Sequence, residues 1–401
     1  MTLKFIRNTA LILALVVISV GVGYNYGKKS GFSYSLPSSN IIATQSSNQA
    51  AQKGLDFNLF WTVWDKLKEN YYDKTKLDAK NMYYGAVSGM VAAIGDPYTV
   101  FLTPKQNQDT KEELSGTFDG IGAQLGYKEK KIVVIAPLKD TPAEKAGILA
   151  GDWILKIDTK DTSSLTLPEA VSLIRGKKGT KVKLTILHEN KDKPEELEIV
   201  RDSILVKSVT VEYKNNIAVL KLSQFGDNST LEWDRAVNEI VAKGSDIKGV
   251  VLDLRNNPGG YLTGSVYIAS EFLRNGDVVI QEDGNGLKHN YAVNRKGKIL
   301  DKPLVVIVNK GSASASEIVA GALQDRSRAK LVGEMSFGKG TIQDAQDLDD
   351  GAGLHVTVAK WLTPKGKWIN GTGLAVDYKV EMDENNQTKD PQLEKAIELL
   401  N

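Results

Sequence analysis

The chain has 401 residues, with 51 lysines and arginines against 49 aspartates and glutamates, and a formal net charge of +2. This length accommodates two or three domains, and 41% hydrophobic with 25% charged residues is ordinary for a folded protein. A nearly neutral chain without a large basic stripe does not indicate nucleic-acid binding. Because the chain has no cysteine, disulfides, thiolate metal sites and a cysteine nucleophile are excluded.

The N-terminus combines positive charge with an apolar run. Lys4 and Arg7 precede the apolar residues 10–22, which is typical of a secretion signal. We expect residues 1–26 to be an uncleaved, single-pass anchor in the cell membrane, with the catalytic part of the protein outside the cytoplasm. The run is short for a membrane span, so secretion after signal cleavage is the alternative.

A polar stretch and a helical region follow. Residues 27–54 are rich in Ser, Asn, Gln, Gly and Lys, which predicts a flexible linker. Residues 55–109 form the predicted helical region, with a second helix from about Asp78 to Ile94. Its first helix carries apolar residues at helical spacing, namely Phe57, Phe60, Trp61, Trp64 and Leu67. We interpret this stripe as core or as a subunit contact rather than as a ligand site.

Residues 110–206 combine short strand patterns with glycine-containing turns. A helix signal opens near Thr166, with Pro168 in its first turn. Adjacent glycines allow successive amides to converge on a carboxylate, and a free strand edge can pair with a peptide. The candidate peptide-binding residues are Gly120, Ile121, Gly122, Ala123 and Arg175.

This module resembles a PDZ domain. A dinucleotide loop is disfavoured because Gly126 comes one residue too late for G-x-G-x-x-G. Arg175, at the end of the groove helix, is compatible with peptide sensing, with a contact to the following domain, or with a plain solvated cation.

Residues 207–382 contain two strand-to-loop motifs. A buried strand over residues 249–254 runs into the sequence D-L-R-N-N-P-G-G. A second apolar run, residues 304–308, leads into a small-residue turn with serines at alternate positions, and then into a helical pattern. This strand–turn–helix order can expose one hydroxyl beside helix N-terminal amides.

A lysine is the candidate base for that hydroxyl. The three histidines, His188, His289 and His355, have no ligand-like spacing, and we interpret them as structural or exposed. A glycine-rich turn carries Lys339, and a buried lysine can lose its charge and act as a base. A phosphate loop is disfavoured, because Gly340 stands where Ser or Thr would bind magnesium.

The run G-S-A-S-A-S-E-I followed by F-G-K-G-T-I-Q resembles the carboxyl-terminal processing peptidases, which are serine proteases of the S41 family with a PDZ domain. The resemblance implies that Ser314 is the nucleophile, that Lys339 is the general base, and that Gln343 orients the lysine. Lys339 follows Ser314 by 25 residues, which is the usual spacing in the family. The oxyanion hole would use backbone amides of Gly259 or Gly260 and of Ala315, the residue after the nucleophile.

The resemblance implies a mixed, multidomain α+β protein. Its parts are the N-terminal helical region, the PDZ domain, an S41 protease core of the ClpP/crotonase-like α/β type, and a C-terminal helical segment over residues 383–401. It also implies substrates with free C-termini, no metal and no cofactor. The N-terminal helical region often takes part in dimer formation in the family, so we expect a homodimer or higher oligomer. A catalytically silent PDZ scaffold is the alternative, which the presence of Ser314, Lys339 and Gln343 opposes.

Overall fold

The computed structural model describes residues 56–128, 131–138, 140–165, 167–188, 191–382 and 389–401. The expected anchor and linker, residues 1–54, lie outside these ranges, as does Thr166. Among the helices that the structure describes, none has both the length and the apolar character needed to cross a bilayer. The chain divides into two compact units, Met1–Asp78 and Ala79–Asn401, which we describe separately.

The described part of the first unit is mainly helix α1 (Asn58–Asn70), followed by a 3-10 turn at Lys74–Lys76. This confirms the predicted first helix. No residue of α1 is buried, and Trp61 is 56% exposed. The aromatic stripe is therefore not a core in this chain, and its role as a subunit contact stays a prediction.

The second unit begins with elements that alternate between helix and strand. They are α2 (Ala79–Ala92), β1 (Val100–Leu102) and α3 (Pro104–Ser115). The second helix is confirmed, whereas β1 was not expected within the helical region. Helix α3 begins at a capping box formed by Thr103 and Gln106, and it continues across residues 109 and 110, where the sequence analysis places a boundary.

An antiparallel sheet with its own apolar core forms the PDZ module. Its strand order is β3 (Ala123–Lys128), β4 (Lys131–Pro137), β5 (Trp153–Ile157), β7 (Lys181–Leu187) and β8 (Glu195–Val200), with β6 (Lys160–Asp161) beside β5. Helices α4 (Pro142–Lys145) and α5 (Leu167–Ile174) complete it. A separate ribbon pairs β2 (Thr117–Gly120) with β9 (Asp202–Leu205). The module thus starts and ends on paired strands.

A mostly parallel sheet forms the centre of the protease core. Its order is β10 (Val209–Lys214), β11 (Ile217–Leu222), β12 (Gly249–Asp253), β15 (Leu304–Val308), β16 (Lys330–Gly333) and β19 (Tyr378–Lys379), and only β10 runs antiparallel to its neighbour. Every residue of β12 and β15 is buried, as expected for central parallel strands covered on both faces.

Helices cover both faces of this sheet. The larger apolar cluster joins one face to α6 (Ser229–Ala242), α7 (Leu262–Ala269) and α8 (Ala315–Asp325). The opposite face packs against α9 (Pro391–Glu398) through Leu393 and Ala396. The sequence predicts a C-terminal helix with Asp390 as its cap and Pro391 at its first position. This is confirmed, since Asp390 accepts a hydrogen bond from the Leu393 amide at 2.9 Å.

A second antiparallel sheet lies beside this core. It consists of β1, β18 (Gly353–Leu362), β13 (Asp277–Asp283) and β14 (Lys288–Ala292), with β17 (Thr341–Asp347) also paired to β18. Strand β18 is longer than the predicted strand over residues 354–359. Its pairing with β1 connects the segment before α3 to the region around Lys339.

An ion-pair network fixes α9 to the end of β12. Arg255 donates from Nη2 to Asp253 Oδ2 at 2.7 Å and to Asp390 Oδ2 at 2.8 Å. Both Asp253 and the guanidinium are largely shielded from solvent, so the geometry supports the expected structural role for this pair.

The packing of α9 predicts how substitutions in this helix change the stability of the protease core. Leu393→Ala should lower the free energy of unfolding by about 2–5 kcal/mol, because it opens a cavity under the sheet. Urea unfolding followed by tryptophan fluorescence measures the change. Glu398→Ala on the exposed side of the same helix is the control, expected within about 0.5 kcal/mol of wild type. Equal effects of the two substitutions would contradict the packing described here.

Candidate active site

Ser314 occupies the turn between β15 and α8 in an uncommon backbone conformation. Its φ is 53° and its ψ is −115°, a region that non-glycine residues rarely adopt. The preceding strand ends at Val308, and α8 begins at Ala315. The serine is therefore held half-buried at the carboxyl edge of the parallel sheet, directly before a helix N-terminus.

The glycine pair of the neighbouring loop approaches this turn closely. A Cβ atom added to Gly259 would lie 2.8 Å from the Ser314 Cβ and 3.0 Å from the Ala315 nitrogen. Gly259 has a φ of 105°, so glycine is needed here for its conformation as well as for space. The structure thus brings Gly259, Ser314 and Ala315 together, as the sequence predicts.

The two glycine amides differ in their hydrogen bonding. The Gly259 amide donates to Asn257 Oδ1 at 2.9 Å, and Asn257 is itself buried. Within the described residues, no acceptor is found for the amides of Gly260 or Ala315. Their role as oxyanion donors stays a prediction.

Lys339 lies in the loop before β17, where hydrogen bonds hold both its backbone N–H and its backbone carbonyl. Its amide donates to Glu317 Oε2 at 2.9 Å, and its carbonyl accepts from the buried Trp361 indole at 2.9 Å. Its side chain is half-buried, with Nζ 4.9 Å from the centre of the Tyr98 ring. Burial lowers the pKa of this ammonium below its ordinary value, and the charge of Asp96 opposes part of that effect.

Glu317, fully buried in the first turn of α8, connects the serine turn to the lysine loop. Its Oε2 accepts from the amides of Ser314 and Lys339 at 2.8 and 2.9 Å. Its Oε1 accepts from the Gly338 amide at 2.7 Å and from the Ser336 hydroxyl at 2.6 Å. Four donors and the positive end of α8 thereby compensate the buried carboxylate.

Gln343 lies near the lysine loop but does not contact the lysine in this structure. Its side-chain amide donates to the hydroxyls of Thr341 and Thr357 at 2.9 and 3.0 Å. In the part of the chain that the structure describes, no hydrogen bond joins Lys339 Nζ to Ser314 or to Gln343. Such bonds often form only in the substrate complex, so the lysine-orienting role of Gln343 stays a prediction.

The candidate peptide-binding residues of the PDZ module lie at the junction of β2 and β3. Gly120 ends β2, Ala123 begins β3, and the buried Ile121 lies between them. Arg175 follows α5, and its guanidinium stacks 4.7 Å from the centre of the Phe118 ring. Because Phe118 precedes Gly120 on β2, the structure brings Arg175 to the base of the candidate peptide site.

The three histidines do not form a cluster. His188 contacts Asp152 through Nδ1 at 2.7 Å, and His289 packs edge-on against Tyr291 at 4.5 Å. The pKa of His355 is lowered by burial and by the charge of Lys339, which places it near the lysine. Over the described residues, no group of three or more potential ligands could hold a metal ion.

Sequence reasoning missed three contributors to this site: Glu317, Asn257 and Tyr98. Glu317 stands three residues after Ser314, at the position from which a glutamate reaches back to a helix N-cap, so its local signal was present. Asn257 and Tyr98 gave no such signal, because the orientation of Asn257 depends on its bond to the Leu222 carbonyl on another strand, and Tyr98 meets Lys339 only through the fold.

Three family models match the chain. Peptidase family S41 matches residues 216–380, a PDZ domain matches residues 120–199, and the N-terminal domain of the activating protease CtpB matches residues 17–106. Together they match the N-terminal region, the PDZ module and the protease core in the order expected from the sequence.

Individual relatives align over most of their length. The chain is 39% identical to the carboxy-terminal processing protease CtpA of Bacillus subtilis, over 86% of this chain and 72% of that protein. It is 38% identical to the carboxyl-terminal-processing protease of Synechocystis, over 90% and 86% of the respective chains. A candidate S41 protease from Bacteroides fragilis shares the fold, with a TM-score of 0.55 at 16% identity over 84% of this chain and 96% of that one.

The Glu317 contacts predict a local effect on the lysine loop. Glu317→Gln should weaken the hydrogen bonds that the Gly338 and Lys339 amides donate to this side chain. Each buried donor then loses a charged acceptor, which costs about 1–3 kcal/mol. Hydrogen exchange of a peptide covering residues 336–340 should then accelerate at least about tenfold. Glu334→Gln, next to the loop and in an ion pair with the exposed Lys310, is the control. Unchanged exchange in Glu317→Gln would contradict this account of the loop.

Proposed function

This chain belongs to the carboxy-terminal processing serine proteases of peptidase family S41, and we propose that it cleaves its substrates with a Ser314–Lys339 pair. In this mechanism neutral Lys339 removes the proton from Ser314 Oγ while Oγ attacks a peptide carbonyl. The carbonyl π electrons move to its oxygen, which becomes the oxyanion. When this intermediate collapses, the C–N bond breaks and the Lys339 ammonium gives its proton to the departing amine, which leaves an ester on Ser314. Lys339, neutral again, takes a proton from a water that attacks the ester carbonyl, and it returns that proton to Ser314 Oγ as the acyl group leaves as a carboxylic acid.

The observation that carries this proposal is that the backbones of Ser314 and Lys339 are both bound to one buried carboxylate, Glu317. Glu317 binds the backbone amides of both Ser314 and Lys339, so the nucleophile and the base are fixed relative to one carboxylate. Burial also lowers the pKa of Lys339, which increases the neutral fraction that can accept a proton.

Hydrogen bonding favours one assignment of the oxyanion hole. The Gly259 amide is already bound by Asn257 Oδ1, so Gly260 and Ala315 are the better donors. Gly259 would then serve by its small size, since a side chain there would collide with Ser314. For Gln343 we propose that its side-chain carbonyl orients Lys339 once substrate is bound.

The substrates are proteins or peptides with free C-termini, which the PDZ module would bind at Gly120–Ala123 with Arg175 nearby. We place the enzyme at the cell membrane through residues 1–26, with extracytoplasmic substrates; secretion after cleavage is the alternative. The exposed aromatic residues of α1 support self-association as a dimer or higher oligomer. The domain boundaries proposed are those expected from sequence, except that helix α3 carries the helical region on to Ser115.

Cleavage of an unfolded protein with a small, apolar C-terminus tests the catalytic pair. Ser314→Ala and Lys339→Ala in the full-length chain should each lower kcat/KM at least about 10³-fold, as loss of a nucleophile or base does in serine proteases. Lys310→Ala, an exposed lysine on the serine turn, is the matched control and should cleave normally. A metal chelator should have no effect. Equal cleavage by all variants would overturn the proposed pair.

Binding of a fluorescent peptide tests the PDZ assignment in the inactive Ser314→Ala protein. Amidation of the peptide C-terminus should weaken binding at least about tenfold, because converging amides recognise a carboxylate. Replacing an internal glutamate of the peptide by glutamine removes the same charge and should have little effect. Arg175→Ala should weaken binding more than Lys178→Ala, an exposed cation nearby. Equal binding of the free and amidated peptides would contradict carboxylate recognition.

A further inference from the structure

The turn Asp96–Thr99 contacts the candidate base from a segment outside the catalytic motifs. Tyr98 faces the Lys339 ammonium at 4.9 Å from the ring centre, which is within the range of a cation–π contact. Lys339 forms no ion pair with any carboxylate of the described residues. The aromatic face is therefore its principal contact for positive charge.

We propose that this turn is part of the base's binding site. The face of Tyr98 holds the Lys339 ammonium that forms when the lysine takes the Ser314 proton, and Asp96 supplies opposite charge from the same turn. Tyr98 and Asp96 are thus positioning residues for proton transfer. This inference rests on the proposed function of the Ser314–Lys339 pair.

The turn is held too firmly to be an incidental neighbour. Asp96 Oδ2 accepts from the Thr99 hydroxyl at 2.7 Å, and Oδ1 accepts from the Tyr98 amide at 3.1 Å. Thr99 is buried, and its hydroxyl accepts from the Thr357 amide on β18 at 3.0 Å. The backbone that carries Tyr98 is consequently held by the contacts of Asp96 and Thr99.

The same contacts extend to Gln343. Thr357 receives a hydrogen bond from the Gln343 side chain at 3.0 Å and also hydrogen-bonds the Asp96 carboxylate. Burial by itself would raise the pKa of Asp96, but these hydrogen bonds outweigh it and hold the pKa below the ordinary value. Asp96 is therefore ionised at neutral pH.

An aromatic face suits a base that must exist in both protonation states. A carboxylate in direct contact would stabilise the ammonium strongly and keep the lysine charged at neutral pH. A ring face stabilises the cation less, so the neutral amine remains accessible while the ammonium formed by proton transfer still has a partner. Asp96 acts from a greater distance and adds to this effect.

Other titratable groups surround the lysine. Glu317 on α8 and Asp96 both raise the pKa of Tyr98, after burial, so the phenol stays protonated. His355 on β18 has its pKa lowered by burial and by Lys339 and is neutral near pH 7. Among these carboxylates, Asp96 acts on the Lys339 ammonium, whereas Glu317 binds the backbone amide of the lysine. Glu317 already accepts four hydrogen bonds, so its substitution would also disturb the two segments that it joins. Asp96 is therefore the carboxylate to substitute.

The pKa of Lys339 can be measured without proteolysis. In the Ser314→Ala protein, its rate of dinitrophenylation by fluorodinitrobenzene would be followed against pH by peptide mass spectrometry. Tyr98→Leu removes the ring face and Asp96→Asn removes the charge, so each should lower the measured pKa by about half a pH unit. Tyr98→Phe keeps the face and should match wild type.

The acid limb of kcat/KM, measured with Ser314 present, should move to lower pH by the same amount in Tyr98→Leu and Asp96→Asn. A labelling pKa unchanged in both variants would overturn the inference, whatever their activity. If Tyr98→Leu fails to fold, Asp96→Asn decides the question alone. Failure of the Ser314–Lys339 pair would be recognised separately, as undiminished cleavage by Lys339→Ala.

Discussion

The buried carboxylate of Glu317 is the constraint on which the site depends. A charge removed from water is costly unless donors surround it, and here the donors come from the serine turn directly before Glu317 and from the lysine loop beyond β16. The serine turn supplies one amide, and the lysine loop supplies two amides and the Ser336 hydroxyl. Compensation of this charge therefore requires both segments to be in place at once, which couples formation of the site to completion of the fold.

In this arrangement the negative charge of Glu317 and the positive charge of Lys339 have different partners. Glu317 uses its charge to hold backbone, and its four bonds leave it little capacity to pair with the lysine side chain. The lysine ammonium instead lies against Tyr98, with burial lowering its pKa. With Ser314 and Lys339 in their proposed roles, a fixed anion would lie within the same turn as the nucleophile without making the base a permanent cation.

Sequence predicted the central strands and the order of the modules well, because the signals were local. Strand β15 is a short, continuous apolar run, and α9 carries its cap and its proline at the expected positions. The resemblance likewise rested on contiguous motifs around Ser314 and Lys339. What it could not predict were strand β1 and the contacts of the turn that precedes it, since both depend on pairing with β18 some 250 residues later.

The same distinction explains why the glycine pair could be located but not resolved from sequence. Which amide faces the nucleophile depends on a side chain, Asn257, that captures the Gly259 amide. Composition gives no indication of that choice, because either glycine can adopt the required positive φ. Once Asn257 is bound by the Leu222 carbonyl at 2.9 Å, its own orientation is set by the parallel sheet. Which glycine amide is left without an acceptor therefore depends on a buried asparagine and its contact with the parallel sheet, and not on the glycine pair alone.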